Sequence, residues 1–135
     1  MLSFASSLSQ DSEVIAIFVN EKYDYTDKKG ILSNTVAQKI NSFLSVLKAK
    51  KKEDNISSFD VSDKQKCLII KVKKKYESCF PQNIGGSFFS HLKKFKDISK
   101  IDLYADSLDI DKKGLVIFFS QFIFGFNLKS YTFNK

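Results

Sequence analysis

Short runs of β-branched and apolar residues alternate along the chain with longer segments whose apolar residues recur every three or four positions. The first pattern predicts buried strands and the second predicts helices with one apolar face. In the first part of the chain, strands are predicted at 2–4 and 13–19, and a helix is predicted from Ile31 onward. Its apolar face is formed by Val36, Ile40, Phe43, Leu44 and Leu47.

The charged run at 48–55 predicts the solvated end of that helix and a turn. Two strand-like runs follow at 56–61 and 66–73, with a polar turn at 62–64 between them. Because the two runs lie so close in sequence, they are predicted to be neighbouring strands.

The third part of the chain predicts a second helix. Asn83 is a residue type that caps helices, which places the predicted helix from Ile84 to about Lys96. Its predicted apolar face contains Phe88, Leu92 and Phe95.

A strand at 101–104 and a last helix complete the pattern. Asp111 is predicted to cap this helix, which runs through Phe126, with Gly125 or Asn127 near its end. Strands and helices therefore alternate along the whole chain. This order predicts the α/β class, with a layered sheet flanked by helices and connected by right-handed crossovers.

Length and composition support a single globular domain over 1–135. A chain of 135 residues with 43% hydrophobic residues and 14 phenylalanines can bury a substantial core. Its 27% charged residues and the absence of any apolar run of about 18 residues exclude a membrane-spanning helix. The N-terminus lacks the basic flank and apolar core of a signal peptide, so the expected location is the cytoplasm.

The net charge of +7 raises the question of an anionic partner. All 22 basic residues are lysines, and arginine is the side chain that reads guanine edges bidentately, so base-specific recognition of DNA is not expected. A lysine bias of this kind also follows from an AT-rich genome, which would leave the lysines as ordinary surface. The candidate nucleic-acid contacts are Lys48, Lys50, Lys51, Lys52, Lys73, Lys74 and Lys75.

Metal-binding and catalytic patterns are weak. Cys67 and Cys79 lack zinc-site spacing and are interpreted as free thiols, and the single histidine, His91, is interpreted as an ordinary helix residue. The acidic residues at 102, 106, 109 and 111 are interpreted as a polar loop with a helix cap, with a hard-cation site as the alternative. No catalytic, cofactor-binding or metal-binding residue is therefore predicted.

The adjacent residues Gly85 and Gly86 are predicted at a helix start. Two glycines there favour close packing of the helix, and a backbone anion site is the alternative. The pair also belongs to a stretch, QNIGGSFFSHLKKFKDISKIDLYADSL followed by GLVIFFSQFIFGFNLKSYTFNK, that resembles the end of the N-terminal domain of cytosol leucyl aminopeptidases. In that family a Gly-Gly pair opens a helix, a strand follows, and a last helix ends in Gly-x-x-Leu-x-x-Tyr-x-Phe. The corresponding residues here are Gly85, Gly86, Gly125, Leu128, Tyr131 and Phe133.

The resemblance implies a macro-domain-like fold that in the family precedes a C-terminal catalytic domain. That domain removes N-terminal amino acids with two divalent metal ions, zinc or manganese, and the full-length enzymes are homo-hexamers. The metal-binding run Asn-Thr-Asp-Ala-Glu-Gly-Arg and the catalytic lysine of the family have no counterpart here. The 135-residue chain alone is therefore expected to be inactive, with the catalytic domain as its partner.

One departure from the family bears on nucleotide binding. Relatives often follow the third or fourth strand with a glycine-bearing turn, whereas here Ile69–Val72 runs directly into three lysines.

Three hypotheses follow: an accessory aminopeptidase domain, a nucleic-acid-binding module, and an ADP-ribose or nucleotide binder, which rests on fold analogy alone.

Overall fold

The chain divides into two compact units in the computed structural model, which describes residues 2–4, 12–28, 30–50, 54–95, 98 and 100–133. The first unit comprises Met1–Lys74 and Ser99–Asp109, and the second comprises Lys75–Ile98 and Ile110–Lys135. The strands are β1 (Leu2–Phe4), β2 (Val14–Val19), β3 (Ile56–Asp60), β4 (Lys66–Lys71) and β5 (Ile101–Tyr104). The helices are α1 (Asn34–Lys50), α2 (Phe80–Leu92), a short 3-10 helix (Ala105–Ser107) and α3 (Lys112–Phe133).

The first unit is built on a mixed sheet of five strands in the order β1-β5-β2-β4-β3. Four of these strands are parallel, and β3 pairs with β4 in the antiparallel direction at one edge. Strand β2 lies at the centre, and all six of its residues are buried. A central parallel strand is covered on both faces, and for this reason the sequence of β2 is an unbroken apolar run.

Helix α1 covers one face of this sheet. Its buried residues Ile40, Leu44 and Leu47 share a core with Ile15 and Ile17 of β2, which alternate along the strand. This agrees with the apolar face predicted for the helix. The helix begins at Asn34, three residues later than the predicted start at Ile31, and the Ser33 hydroxyl caps it by accepting a hydrogen bond from the backbone N–H of Val36 at 3.3 Å.

The second unit contains α2 and α3, and the predicted start of α2 is wrong. The helix begins at Phe80, and Pro81 lies in its first turn, whereas Asn83 lies inside it and does not cap it. Proline suits the first turn because its fixed φ is helical and its missing N–H would have no partner there. The helix ends at Leu92, earlier than the predicted end near Lys96.

Two glycines allow α2 and α3 to approach closely. A Cβ added to Gly85 would lie 2.9 Å from the carbonyl carbon of Phe122, and one added to Gly125 would lie 2.7 Å from that of Gln82. Phenylalanines pack beside this contact, with the rings of Phe88 and Phe122 5.5 Å apart. Packing was the favoured interpretation of the glycine pair, and the interior position of Gly85 removes the helix-start geometry on which the anion-site alternative depended.

Helix α3 begins as predicted and ends later than predicted. Asp111 Oδ1 accepts a hydrogen bond from the backbone of Gly114 at 2.7 Å, which is the predicted cap. Gly125 and Asn127 do not end the helix, which continues to Phe133. Glycine inside a helix costs about 1 kcal/mol relative to alanine, and here the close contact with α2 explains its presence.

The predicted α/β class is confirmed: helices follow groups of one or two strands along the chain, and in the first unit a helix is layered on a mixed sheet. The predicted strands at 2–4, 13–19, 56–61, 66–73 and 101–104 are all present, with ends differing by up to two residues.

Candidate functional site

The lysines proposed from the sequence are exposed wherever the structure describes them. Lys48 and Lys50 lie in the last turn of α1, and Lys73 and Lys74 follow the end of β4. Lys75 is also exposed and belongs to the second unit. Lys51 and Lys52 lie outside the described residues.

The fold of the first unit brings two groups of lysines, one at the end of α1 and one at the end of β4, to one edge of the sheet. The backbone N–H of Lys71, at the end of β4, donates a hydrogen bond of 2.8 Å to the carbonyl oxygen of Asn55. The segment that follows α1 therefore passes the end of β4. The Lys48 ammonium lies 3.4 Å from Asp24, and the Lys71 ammonium lies 3.4 Å from the Tyr23 hydroxyl. Since Tyr23 and Asp24 are adjacent, both lysine groups border the same loop.

We call this surface the basic edge. It consists of Lys22, Lys48, Lys50, Lys71, Lys73 and Lys74. Two of its members, Lys22 and Lys71, were not among the predicted contacts. Lys71 begins the lysine run at 71–75 that supports the nucleic-acid hypothesis, whereas Lys22 stands in no such run. Their membership depends on the strand order, which places the end of β4 beside the end of β2.

Acidic residues reduce the charge of the basic edge. Glu21, Asp24 and Asp54 are exposed at the same edge, so six lysines face three carboxylates. The Lys48–Asp24 ion pair is solvated on both sides, with side chains 51% and 59% exposed, and such pairs contribute at most about 1 kcal/mol. A phosphate could therefore displace Asp24 from Lys48 at small cost.

The loop under the basic edge is held rigidly by its own hydrogen bonds. The Asn20 side-chain oxygen accepts hydrogen bonds from the backbone N–H groups of Lys22 and Asp24, both at 2.9 Å. This arrangement holds Tyr23 at a φ of 63°, which is unusual for a residue with a side chain. The Lys71 ammonium lies 5.1 Å above the centre of the Tyr23 ring, close enough for a cation–π interaction.

Asp27 organises the rest of this loop. Its carboxylate accepts hydrogen bonds from the backbones of Ile31 at 3.0 Å and Leu32 at 3.2 Å, and a third from the Tyr104 hydroxyl. Burial, and then the bond to Asp27, raise the pKa of Tyr104 well above its ordinary value. These contacts all stabilise the loop, so this tyrosine–carboxylate pair is interpreted as structural.

Ser107 extends the sheet beyond the last residue of β5. Its buried hydroxyl accepts a hydrogen bond from the backbone N–H of Phe18 at 2.8 Å and donates one to the carbonyl oxygen of Tyr104. The register of β5 with β2 ends at the pair Ile17–Tyr104, so this side chain supplies the next acceptor of the ladder. Thr26 joins the same region through a 2.9 Å bond from its backbone to the carbonyl of Ser107.

The acidic residues near β5 serve separate structural purposes. Asp102 is buried within β5, Asp109 lies 3.8 Å from Lys28, and Asp111 caps α3. Within the ranges that the structure describes, no group of three or more His, Cys, Asp or Glu side chains is placed to hold a metal ion.

His91 and the cysteines are dispersed. His91 is half-buried on α2 beside the Phe95 ring, and burial, followed by the charge of Lys94, lowers its pKa. Cys67 is buried in β4, whereas Cys79 is exposed before α2, and both are free thiols as predicted.

Comparisons with known proteins identify no relative. No family model matches the chain, and no curated protein or solved structure matches it significantly. Across the described helices, none is long and apolar enough to cross a bilayer. The aminopeptidase family named from the sequence therefore stays a prediction.

Proposed function

We propose that this chain is a non-catalytic accessory domain of a metal-dependent leucyl aminopeptidase, acting in assembly or regulation of the enzyme. The proposal rests on the resemblance of the last 50 or so residues, and one structural observation supports it. Gly85 and Gly125, two of the residues that carry the resemblance, face each other's helices at the point of closest approach of α2 and α3. The positions of these two glycines in the sequence therefore have a physical reason. A match that arose by accident would not require the two glycines to share one helix contact.

The other residues of the pattern on α3 point in a different direction. Leu128 and Tyr131 are 48% and 68% exposed, whereas Gly125 is buried against α2. A helix with one face packed internally and apolar residues on the opposite side suits a domain that is covered by another protein surface. An accessory role in a larger enzyme, in the cytoplasm, is consistent with this arrangement.

The test is to precipitate the natural protein with an antibody raised against residues 1–135, from cells that make it. The precipitate is expected to hydrolyse leucine p-nitroanilide, to lose the activity on treatment with a chelator, and to regain it with zinc or manganese. The purified 135-residue chain is expected to be inactive under the same conditions. A precipitate that contains the chain but no chelator-sensitive activity would contradict the proposal.

Nucleic-acid binding is the second candidate function, and the convergence of two lysine groups at the basic edge favours it. Six lysines around a rigid loop can contact successive phosphates, and counterion release would supply most of the affinity. Because the edge contains no arginine, binding with little sequence preference is expected.

A fluorescence anisotropy titration with duplex DNA, at low and at physiological salt, tests this candidate. The double variant Lys73→Glu/Lys74→Glu is expected to weaken binding and to reduce the slope of log K against log salt by about one per lysine. Lys64→Glu is the control, because Lys64 is exposed in the turn that precedes β4, at the opposite end of that strand. Equal weakening by the control, or no binding at physiological salt, would reject the candidate.

A further inference from the structure

A carboxylate is fixed within the basic edge, in the loop that follows β2. The Asp24 side chain is 59% exposed, whereas its neighbour Tyr23 is buried. Asn20 holds the backbone of Asp24 at two points: its Oδ1 accepts the Asp24 N–H, and its own N–H donates to the Asp24 carbonyl oxygen, both at 2.9 Å. The loop therefore presents the Asp24 carboxylate to solvent at a defined position.

Lysines from two different elements reach this point of the loop. Lys48, in the last turn of α1, has its Nζ 3.4 Å from Asp24 Oδ1. Lys71, at the end of β4, donates a hydrogen bond of 3.4 Å to the hydroxyl of Tyr23. The carboxylate thus has one cation at its own oxygen and a second cation at the adjacent residue.

This arrangement does not suit a ligand that carries phosphates alone. Phosphates are attracted by Lys48 and Lys71 but are repelled by Asp24, which stays in place because its backbone is held. An ionised carboxylate has room for about four hydrogen bonds, so Asp24 can accept a donor from a ligand in addition to its contact with Lys48. The ligand that fits should therefore present a hydroxyl donor between phosphates.

We infer that the basic edge binds RNA in preference to DNA, with Asp24 accepting a hydrogen bond from the 2′-hydroxyl of a sugar whose flanking phosphates contact Lys48 and Lys71. In a polynucleotide a sugar separates each pair of successive phosphates, and only ribose carries the 2′-hydroxyl. With DNA the carboxylate faces phosphates and receives no hydrogen bond in return. The inference rests on the nucleic-acid candidate at the basic edge and is independent of the aminopeptidase proposal.

Recognition of the sugar agrees with the composition of the chain. All 22 basic residues are lysines, so bidentate reading of guanine is not expected. A contact with the 2′-hydroxyl discriminates RNA from DNA whatever the base. A lysine surface with a fixed acceptor provides this kind of selectivity.

The probes are fluorescein-labelled oligouridylate and oligodeoxyuridylate of about 12 nucleotides, which differ only in the 2′-hydroxyl. Fluorescence anisotropy at physiological salt is expected to show the complete 135-residue chain binding the RNA at least about fivefold more tightly than the DNA. A third probe with 2′-fluoro sugars keeps the sugar pucker of RNA but has no donor, so it is expected to bind like the DNA. A 2′-fluoro probe that binds like the RNA would overturn the inference, because the shape of the sugar would then be recognised and not its hydroxyl.

A charge-matched pair of variants tests the role of Asp24. Asp24→Ala removes both the acceptor and the repulsion, so it is expected to strengthen DNA binding and to reduce the preference for RNA to less than about twofold. Glu21→Ala, at an exposed position of the same loop, removes the same charge, and it is expected to strengthen binding of both strands equally and to keep the preference. Both positions are exposed, so neither substitution is expected to unfold the chain.

The outcomes separate the inference from the candidate function on which it rests. Equal binding of RNA and DNA by the wild type, or an unchanged preference in Asp24→Ala, would overturn the inference and leave nucleic-acid binding in place. Absence of binding of every probe at physiological salt would reject nucleic-acid binding itself, and the inference with it.

Discussion

The hydroxyl of Tyr104, at the end of β5, donates a hydrogen bond to the carboxylate of Asp27, 77 residues earlier in the chain. Tyr104 is fully buried, and the Asp27 carboxylate also accepts hydrogen bonds from the backbone N–H groups of Ile31 and Leu32. The pair therefore connects the loop after β2 to the strand beside it. Loss of this connection is expected to loosen the segment that leads into α1.

Tyr104→Phe removes the donor and keeps the ring. Since a hydrogen bond to a charged acceptor contributes about 1.5 to 3 kcal/mol, the free energy of unfolding in urea is expected to fall by about 2 kcal/mol at neutral pH. Tyr25→Phe is the control, because its hydroxyl bonds to Asn41 at an exposed position, and it is expected to cost less than about 1 kcal/mol. Equal losses for the two variants would contradict a special role of the Asp27 contact.

The same pair predicts how stability depends on alkaline pH. The pKa of Tyr104 is raised from its ordinary value of 10.0, so above that pH the folded protein keeps a proton that the unfolded chain releases. Its contribution is therefore complete below about pH 10 and decreases as the pH rises further. Wild type is expected to lose more free energy of unfolding than Tyr104→Phe between about pH 9 and about pH 11. Parallel pH profiles would show that Tyr104 does not titrate differently in the two states.

The two neighbouring glycines of α2 are expected to respond to alanine in opposite directions. At Gly85 the new Cβ would meet the backbone of Phe122, which cannot move without shifting α3, and overpacking of this kind costs about 1 to 3 kcal/mol. At Gly86 the nearest atoms are 3.7 Å away, an ordinary contact, so the higher helix propensity of alanine should stabilise by about 1 kcal/mol. Thermal unfolding measures both, and a stabilising Gly85→Ala would show that the helices are not in close contact there.

The elements could be predicted from the sequence where burial imposes a simple pattern. The six apolar residues of β2 and the spacing of Ile40, Leu44 and Leu47 in α1 each have only one plausible structure. The predicted start of α2 at Ile84 rests on Asn83 as the cap, whereas the helix begins at Phe80 with Pro81 in its first turn, a position that proline also favours. The predicted end of α3 near Gly125 is wrong because this glycine serves a tertiary contact with Gln82 of α2 and does not end the helix.

The candidate site depends on tertiary structure to a greater degree. The lysine runs were visible in the sequence, but their convergence depends on the order of strands β2, β4 and β3, which no local pattern specifies. The contact of Tyr104 with Asp27 has the same origin. In α3, a long phenylalanine-rich run does not show by itself which face of the helix is buried: Phe118 and Phe122 are buried, whereas Phe124 is 57% exposed.

Ser107 is expected to be essential for the end of β5. Ser107→Ala removes the acceptor that the backbone of Phe18 uses in the interior, and leaving such a donor without its partner costs about 1 to 3 kcal/mol. Ser45→Ala is the control, since the Ser45 hydroxyl bonds to its own helix at an exposed position, and it is expected to be neutral within about 0.5 kcal/mol. Amide hydrogen exchange should show loss of protection at Phe18 in the first variant only. Unchanged protection would mean that another acceptor replaces the hydroxyl.

The two cysteines are expected to differ sharply in reactivity. Burial raises the pKa of the Cys67 thiol well above its usual range, and its side chain is inaccessible in the middle of the sheet, whereas Cys79 is exposed. Since the thiolate is the reactive form, 5,5′-dithiobis(2-nitrobenzoic acid) should modify one thiol rapidly and the second only when the sheet opens. In Cys79→Ser the fast phase should disappear, and the slow phase should accelerate with urea in parallel with unfolding. Two fast thiols in the folded protein would show that β4 is not in the interior. A slow phase that tracks the unfolding free energy would show that the sheet opens only in the global transition.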